Sequence, residues 1–282
     1  MPSRINVTAK LLYACFLIIT MADCATHRSL ITTQYNIQTD KLRPGNPICI
    51  VLLTDLHSDI YGKANEPLFE KIKAAVPDII VLGGDIFDDI SDDTGTVLLL
   101  HGLIGIAPVY YVAGNHEYFT RKIKKIRAIL NSMNVKILSD DFVRLKINGN
   151  DIILAGVDDI DKRHFEDKKY DGMEAAKIFN PLTGMNIYKI LLIHRPERAK
   201  NYSGFKFDLA LAGHAHGGQW RFPKLFSNGL YAPGQGLFPA LTGGIYELDG
   251  TTLIVSVGLT TRHPLIPRIN NSPEIVVVRI GM

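Results

Sequence analysis

Short runs of consecutive apolar residues recur along the chain, separated by segments with the three- to four-residue spacing of helices. A continuous apolar run is typical of a strand covered on both faces, whereas residues 32–39 alternate polar and apolar positions like a half-buried strand. The continuous runs are 48–53, 79–82, 109–112, 152–155, 190–193, 209–212, 253–257 and 275–278. Helical spacing is found over 67–76, 96–104, 120–133 and 195–202.

Two features of this pattern predict mixed sheets. In the first half of the chain strands alternate with helices, which is typical of parallel sheets. The sequence Asn148-Gly149-Asn150 lies between two strand-like segments and predicts a hairpin, which joins antiparallel strands. We therefore expect an α/β fold of mixed sheets flanked by helices. With 282 residues, of which 46% are hydrophobic and 21% charged, the chain is long enough to bury one large core.

Composition narrows the possible functions. The formal net charge is only +3, and no basic stripe with interleaved aromatic residues is present, so nucleic-acid binding is not expected. The three cysteines lie near one end of the chain and are too few for a disulfide framework or a zinc knuckle. A metal, if bound, would have to be held by histidines and carboxylates.

The N-terminal 25 residues differ from the rest of the chain. Arg4 and Lys10 precede an apolar run, Leu11–Met21, and small and polar residues follow it. This order is typical of a secretory signal, although tilt and flanking residues could extend the run into an uncleaved membrane anchor.

We therefore predict a signal peptide or anchor over residues 1–25 and one domain over residues 26–282, exported or membrane-anchored outside the cytoplasm. A buried N-terminal helix of the domain is the main alternative. Lipidation at Cys15 or Cys24 is a less favoured one, because neither position suits a lipoprotein signal.

Residues of metal-ligand type follow five of the apolar runs. Ligands of open α/β sheets bind at the carboxyl ends of the strands, where the loops converge. Any one such residue alone would be typical of a helix cap or a satisfied polar group. Five of the nine histidines fall in these segments, however, so we predict one shared site. The segments are Asp55-Leu56-His57, Gly84-Asp85-Ile86-Phe87-Asp88, Gly114-Asn115-His116-Glu117, His194 and Gly213-His214-Ala215-His216.

The donor set predicts a centre with two divalent ions. Residues two apart in an extended segment point to the same side, so each D-x-H or H-x-H pair is expected to reach one metal centre. Carboxylate, imidazole and amide oxygen without thiolate suit Mn, Fe or Zn. Seven candidates exceed the needs of one tetrahedral ion, and two ions sharing a carboxylate fit better. The candidates are Asp55, His57, Asp85, Asn115, His194, His214 and His216.

The motif order D-x-H, G-D-x-x-D, G-N-H-E, a single histidine and G-H-x-H resembles the calcineurin-like metallophosphoesterase superfamily over roughly residues 47–280. The segments LLIHRPE, LAGHAHGGQW and GLYAPGQGLFP further resemble a bacterial branch of membrane-associated phosphodiesterases, some of which act on UDP-2,3-diacylglucosamine. The resemblance implies a four-layer α/β/β/α sandwich of two mixed sheets.

The resemblance also implies a function. A hydroxide bridging two ions would hydrolyse a phosphodiester, pyrophosphate or phosphomonoester bond, with a lipid-linked or envelope ester as one possible substrate. A catalytically silent metal-binding scaffold of the same fold is the alternative, and a binding module that uses these residues only for packing is a third.

The resemblance assigns a role to each motif residue. His116 is expected to protonate the leaving oxygen or to stabilise the phosphoryl charge, and Asp88 to orient its imidazole. The ligands are divided into Asp55, His57 and His216 for one metal, Asn115, His194 and His214 for the other, and Asp85 as the bridge.

Two features outside these motifs remain open. Arg195 follows His194 directly, and its guanidinium either clamps a substrate phosphate or begins a helix and faces solvent. The segment 217–244 is long and rich in glycine and aromatic residues. Its rings either form an apolar wall for an acyl chain or a membrane surface, or pack on the loop's own core.

Overall fold

The computed structural model describes residues 29–222, 227–261 and 268–281, so the predicted signal or anchor over residues 1–25 lies outside the described residues. Two six-stranded mixed sheets form the centre of this part of the chain. The first contains, in spatial order, β1 (Ile31–Ile37), β14 (Glu274–Ile280), β2 (Ile48–Leu53), β3 (Ile79–Leu82), β4 (Val109–Tyr111) and β5 (Lys136–Ile137). The second contains β12 (Gly244–Leu248), β13 (Thr251–Val255), β9 (Leu209–Ala212), β8 (Tyr188–Leu192), β7 (Asn150–Gly156) and β6 (Asp141–Ile147).

Helices cover the outer faces of both sheets. On the first sheet they are α1 (Glu66–Ala75), α2 (Thr94–Leu103), α3 (Asn115–Phe119) and α4 (Ile123–Ser132). The 3-10 segments Ala176–Leu182 and Pro196–Phe205 cover the second sheet, and α6 (Gly172–Ala175) contacts the first of them. The short helix α5 (Lys162–Phe165) contacts α3. A small hairpin of β10 (Tyr231–Ala232) and β11 (Gly236–Leu237) follows β9.

Alternate residues of the buried strands pack into different cores. In β2, Ile50 and Leu52 pack between the two sheets, whereas Val51 and Leu53 pack against the helices of the first half. A third core lies between the second sheet and its 3-10 segments and includes Phe179. Because both faces of the central strands are covered, they read as unbroken apolar runs. The four-layer α/β/β/α sandwich is confirmed.

The sequence located the buried strands more accurately than the helices. The runs 48–53, 79–82 and 209–212 coincide with β2, β3 and β9, and the predicted hairpin turn joins β6 and β7. The segment 120–133 contains α4, which starts at Ile123 rather than at Thr120. The Lys122 N–H donates to the Thr120 hydroxyl at 2.9 Å, and this local hydrogen bond replaces a helical one. The segment 195–202 forms a 3-10 helix.

The strand directions bring five loops to one edge of the molecule. β2, β3 and β4 are parallel in the first sheet, and β7, β8 and β9 are parallel in the second. β14 is antiparallel to β2 and parallel to β1, so β1 and β14 both begin at the edge where β2 ends. We call this edge the site edge. In the described parts of the chain, no helix has the length and apolar character needed to cross a membrane.

Candidate metal centre

The loops at the site edge turn sharply directly after the strands. Asp55, His57 and Asp85 have φ angles of 52°, 48° and 52°, and His214 and His216 have φ angles of 68° and 47°. These left-handed conformations are uncommon outside glycine and cluster where surrounding contacts enforce them. The expectation that the D-x-H and H-x-H pairs lie in extended segments is therefore wrong.

Glycines allow the loops to approach each other. Gly84 has a φ of +93°, and a Cβ on it would lie 2.5 Å from His194 Nδ1. A Cβ on Gly114 would lie 2.2 Å from Asp85 Oδ1. Both distances are far below van der Waals contact, so the glycines of G-D-x-x-D and G-N-H-E make room for the side chains of the site.

The predicted ligands form two groups that meet at Asp85. Its Oδ2 lies 3.1 Å from His194 Nε2 and 3.8 Å from His57 Nε2. His194 Nε2 in turn lies 3.2 Å from His214 Nδ1. His214 and His216 belong to different groups because the chain turns between them, in agreement with the division of ligands that the resemblance implies. Sets of ligand atoms within 4.8 Å of one another are Asp55, His57 and His216; Asp85, His194 and His214; and His57, Asp85 and His116.

Two buried ligand atoms at this site have no hydrogen-bond partner. They are His57 Nε2 and Asn115 Oδ1, although buried polar atoms are normally satisfied. The carboxylates of Asp55 and Asp85 are also fully buried beside them. Buried oxygen and nitrogen atoms without hydrogen-bond partners are suited to bind cations. Because no thiolate is among them, the set fits divalent ions such as Mn, Fe or Zn.

The electrostatics of the site favour the metal-binding forms of Asp85, His214 and His216 but not of every ligand. Burial raises the pKa of Asp55. Burial lowers the pKa of His194, but Asp85 raises it to about 10. Burial raises the pKa of Asp85, but the imidazoles of His194, His116 and His57 lower it well below its usual range. Burial and neighbouring cationic groups lower the pKa values of His214 and His216 well below normal. Asp85 is therefore ionised and these two imidazoles are neutral, as metal ligands must be.

The comparisons with known proteins agree with this geometry. A sequence profile described as calcineurin-like phosphoesterase matches residues 49–218. This chain belongs to the calcineurin-like phosphoesterase family. An uncharacterised metallophosphoesterase of Aquifex aeolicus is 31% identical over 254 residues, covering 88% of this chain and 90% of that protein. A bovine transmembrane protein with a metallophosphoesterase domain is 30% identical over 86% of this chain, which spans only 55% of the bovine protein.

Among solved structures, the NAD nucleotidase of Haemophilus influenzae is similar to this phosphoesterase. The TM-score is 0.51, with 18% identity over 75% of this chain and 45% of the nucleotidase. At that identity the similarity shows the fold alone. The two-sheet sandwich and its family are thus established for this chain.

His116 lies at the open side of the phosphoesterase site, between two carboxylates. Its Nδ1 is 2.5 Å from Asp89 Oδ1 and 3.5 Å from Asp88 Oδ1. Asp88 Oδ1 is also 3.3 Å from His57 Nδ1, so this carboxylate lies between the two imidazoles. Burial lowers the pKa of His116, but Asp85, Asp88 and Asp89 raise it to about 10. The sequence reasoning missed Asp89, although it directly follows the G-D-x-x-D motif.

Glu117, the last residue of the G-N-H-E motif, has a structural role. Its Oε1 accepts the backbone N–H groups of Ile86 and Phe87 at 2.8 and 3.1 Å. Its Oε2 accepts those of Asp85 and Gly114 at 2.9 and 2.8 Å. One buried carboxylate thus fixes the loops after β3 and β4 relative to each other.

Arg195 lies beside the second ligand group. Its Nε donates to Asp159 Oδ2 at 2.7 Å and its Nη2 to Asp161 Oδ2 at 2.6 Å. Its Nη1 is 3.3 Å from His214 Nε2. The residue precedes the 3-10 segment Pro196–Phe205, but its guanidinium is mostly buried, so the interpretation as a solvent-facing residue is wrong.

The segment 217–244 packs in part and is exposed in part. The Leu230 N–H donates to Gly218 O at 2.8 Å, and Ala232 is buried in the third core. Leu237, at the end of the β10–β11 hairpin, is exposed. Phe226, one of the aromatic residues of this segment, lies outside the described residues.

Proposed function

We propose that this protein hydrolyses phosphate esters with two divalent ions. The observation that carries the proposal is the pair of buried carboxylate and imidazole groups that share Asp85 and contain unsatisfied ligand atoms. When bound, the ions would activate water as a nucleophile and offset the negative charge of the phosphoryl group. One ion would be held by Asp55, His57 and His216, the other by Asn115, His194 and His214, and both by Asp85.

The chain's own contribution to bond cleavage is assigned to His116. Asp88 and Asp89 bind its Nδ1, which leaves Nε2 for the substrate. Beside these carboxylates the imidazole can donate a proton to the leaving oxygen or hydrogen-bond a phosphoryl oxygen. Asp88 orients this imidazole together with Asp89.

The test is an assay of the purified protein after chelation and after reloading with Mn, Fe or Zn. The substrates should include a phosphodiester, a pyrophosphate and a phosphomonoester. We expect about two ions per chain by elemental analysis and hydrolysis of at least one class only in the reloaded protein. Two bound ions without turnover on any ester would support the silent scaffold, and no bound ion would support the packing module.

We further propose that the substrate is a lipid-linked or envelope phosphate ester, such as UDP-2,3-diacylglucosamine, and that the domain lies outside the cytoplasm. The sequence resemblance and the apolar run Leu11–Met21 support both statements. The tests are hydrolysis of UDP-2,3-diacylglucosamine in detergent, and fractionation of cells with mass spectrometry of the N-terminus. Recovery of the whole protein in the cytosol with residues 1–25 intact would contradict the localisation.

A further inference from the structure

We propose that the site edge docks onto a lipid bilayer through exposed apolar residues that surround the metal centre. We call these residues the apolar rim. They come from the segments that follow β2, β3, β4, β7 and β9, including the ends of α3 and α5 and strand β11. The members are Ile60, Ile90, Phe119, Phe165 and Leu237.

The rim contains some of the most exposed large apolar side chains in the described parts of the chain. Ile90 is 81% exposed and Leu237 is 67% exposed. A single exposed apolar residue is ordinary, but several at one functional edge are typical of an interaction surface. A soluble small ester would need no such set, whereas a bilayer that met the site edge would offer it an apolar environment.

The rim is continuous with the candidate active site. The Phe119 ring lies 5.4 Å from the His116 ring, and the Phe165 ring lies 5.6 Å from that of Phe119. The Arg121 guanidinium is 5.9 Å from the centre of the Phe165 ring. Aromatic rings with a cationic side chain beside them are suited to the boundary between lipid headgroups and acyl chains, where Arg can reach phosphates.

The course of the chain favours a bilayer as the occupant of this surface. β1 enters the first sheet at the site edge, where the Ile31 N–H donates to Pro273 O at 2.9 Å. Close by in sequence, the Asn271 side chain donates to His216 O at 2.7 Å. In the sequence the apolar run Leu11–Met21 ends ten residues before Ile31, a distance that an extended chain spans in at most about 35 Å. A membrane that held this run would therefore lie within reach of the rim.

The opposite edge provides a matched control. Val76 follows α1 and Ile104 follows α2, and both helices end where the chain turns into the amino end of a strand. These side chains are 76% and 61% exposed, which is close to the exposure of Ile90 and Leu237. Val76 and Ile104 are thus apolar and exposed like the members of the apolar rim, but they lie at the opposite edge of the molecule.

The binding test uses the full chain with Cys15 and Cys24 replaced by serine, reconstituted into phosphatidylglycerol and phosphatidylethanolamine vesicles. A polarity-sensitive fluorophore is attached at Leu237→Cys or, as the control, at Ile104→Cys. We expect quenching by spin-labelled lipid at position 237 and none at position 104. Equal quenching at both positions, or none at 237, would overturn the proposal, as would a dimer with the rim buried between two copies.

The second test compares Ile90→Ser/Leu237→Ser with Val76→Ser/Ile104→Ser in the full chain. Losing two large apolar side chains from the bilayer contact should lower hydrolysis of a vesicle-embedded lipid phosphate by about tenfold or more. Hydrolysis of a soluble nitrophenyl ester should stay unchanged, and the control pair should behave like the wild type. Equal rates of the two pairs on the embedded lipid would overturn the proposal. This assay rests on the proposed function, whereas the quenching experiment needs no turnover. Failure of the docking proposal can therefore be distinguished from failure of the proposed function.

Discussion

Asp85 connects the two ligand groups of the candidate metal centre. Its Oδ2 faces His194 and His57, and its Oδ1 accepts the His116 backbone N–H at 2.9 Å. An Asp85→Asn variant keeps an acceptor for that N–H but loses the negative charge that offsets the repulsion between two dications. We expect lower occupancy at both metal positions by elemental analysis. The control is Asp208→Asn, because Asp208 pairs with Lys41 and precedes β9 at the far edge. Loss of one ion with full retention of the other would contradict the bridging role.

His116 allows a prediction that separates chemistry from coordination. It is close enough to His57 and Asp85 to share an ion with them, yet we assign it to proton transfer. His116→Ala should therefore lower the turnover number by about a hundredfold to ten-thousandfold and leave the metal content near normal. The loss should be smaller for nitrophenyl esters, whose leaving group needs little protonation. A marked loss of metal would make His116 a ligand, and equal losses for good and poor leaving groups would exclude the general acid.

Replacing Glu117 is expected to cause a purely structural defect. In Glu117→Gln an NH2 group replaces one of the two carboxylate oxygens. This group cannot accept hydrogen bonds from the two backbone N–H groups that the oxygen accepted. Leaving two buried N–H groups unsatisfied should lower the free energy of unfolding by roughly 2 to 5 kcal/mol, measured by urea denaturation. Glu70→Gln on the exposed face of α1 is the control and should change stability by less than about 0.5 kcal/mol. Equal stability of the two variants would show that the four hydrogen bonds of Glu117 contribute little.

At this scale the sequence predicts residue types but not their conformations. All seven proposed ligands could be selected because their types follow apolar runs. The left-handed φ angles of Asp55, His57 and Asp85 could not be predicted, since they depend on contacts between loops from different strands. For the same reason Glu117 remained without a role, because its four donors come from two loops that are adjacent only after folding.

At the scale of elements, Arg195 connects the loop between β7 and α5 to the second ligand group, because it binds that loop and lies beside His214. Arg195→Met should lower the free energy of unfolding by roughly 3 to 5 kcal/mol, because it leaves the buried carboxylate of Asp159 without its partner. Adding Asp159→Asn should recover most of the stability, since the amide carries no charge. Stability is measured by urea denaturation, and KM is measured in parallel on a soluble ester.

The double variant also tests the proposed phosphate clamp. If the guanidinium binds substrate, KM stays raised after stability has recovered. If its role is only to hold the two loops together, KM recovers with stability. A single Arg195→Met variant as stable as the wild type would contradict the structural pairing itself.

The elements differ in how well hydrophobic spacing encodes them. The central strands were predictable because both of their faces are buried, so that every residue is apolar. The start of α4 at Ile123 was not, because the Lys122 N–H donates to the Thr120 hydroxyl instead of making a helical hydrogen bond. The 3-10 form of Pro196–Phe205 was likewise hidden, since apolar spacing does not distinguish it from an α-helix over two or three turns.

For the whole molecule, the position of the candidate site predicts that the domain works without its first residues. All proposed ligands lie between residues 55 and 216, and β1 starts at Ile31. Deleting residues 1–25 should give a folded, metal-loaded protein that retains hydrolysis of small diesters and loses activity on vesicle-embedded lipid phosphates. Circular dichroism, elemental analysis and the two assays check this. Loss of the fold would instead favour the buried N-terminal helix.

The place of β14 in the first sheet also has a consequence for the order of events during synthesis. β14 lies between β1 and β2, and the Thr33 hydroxyl bonds to Glu274 across 241 positions of sequence. β1 therefore lacks its partner, and β2 one of its two neighbours, until β14 has left the ribosome, and pairings of such long range form slowly. The first sheet thus cannot be completed until late in synthesis. A late completion of this sheet would suit the export proposed above, because a secretion channel accepts chains that have not yet folded.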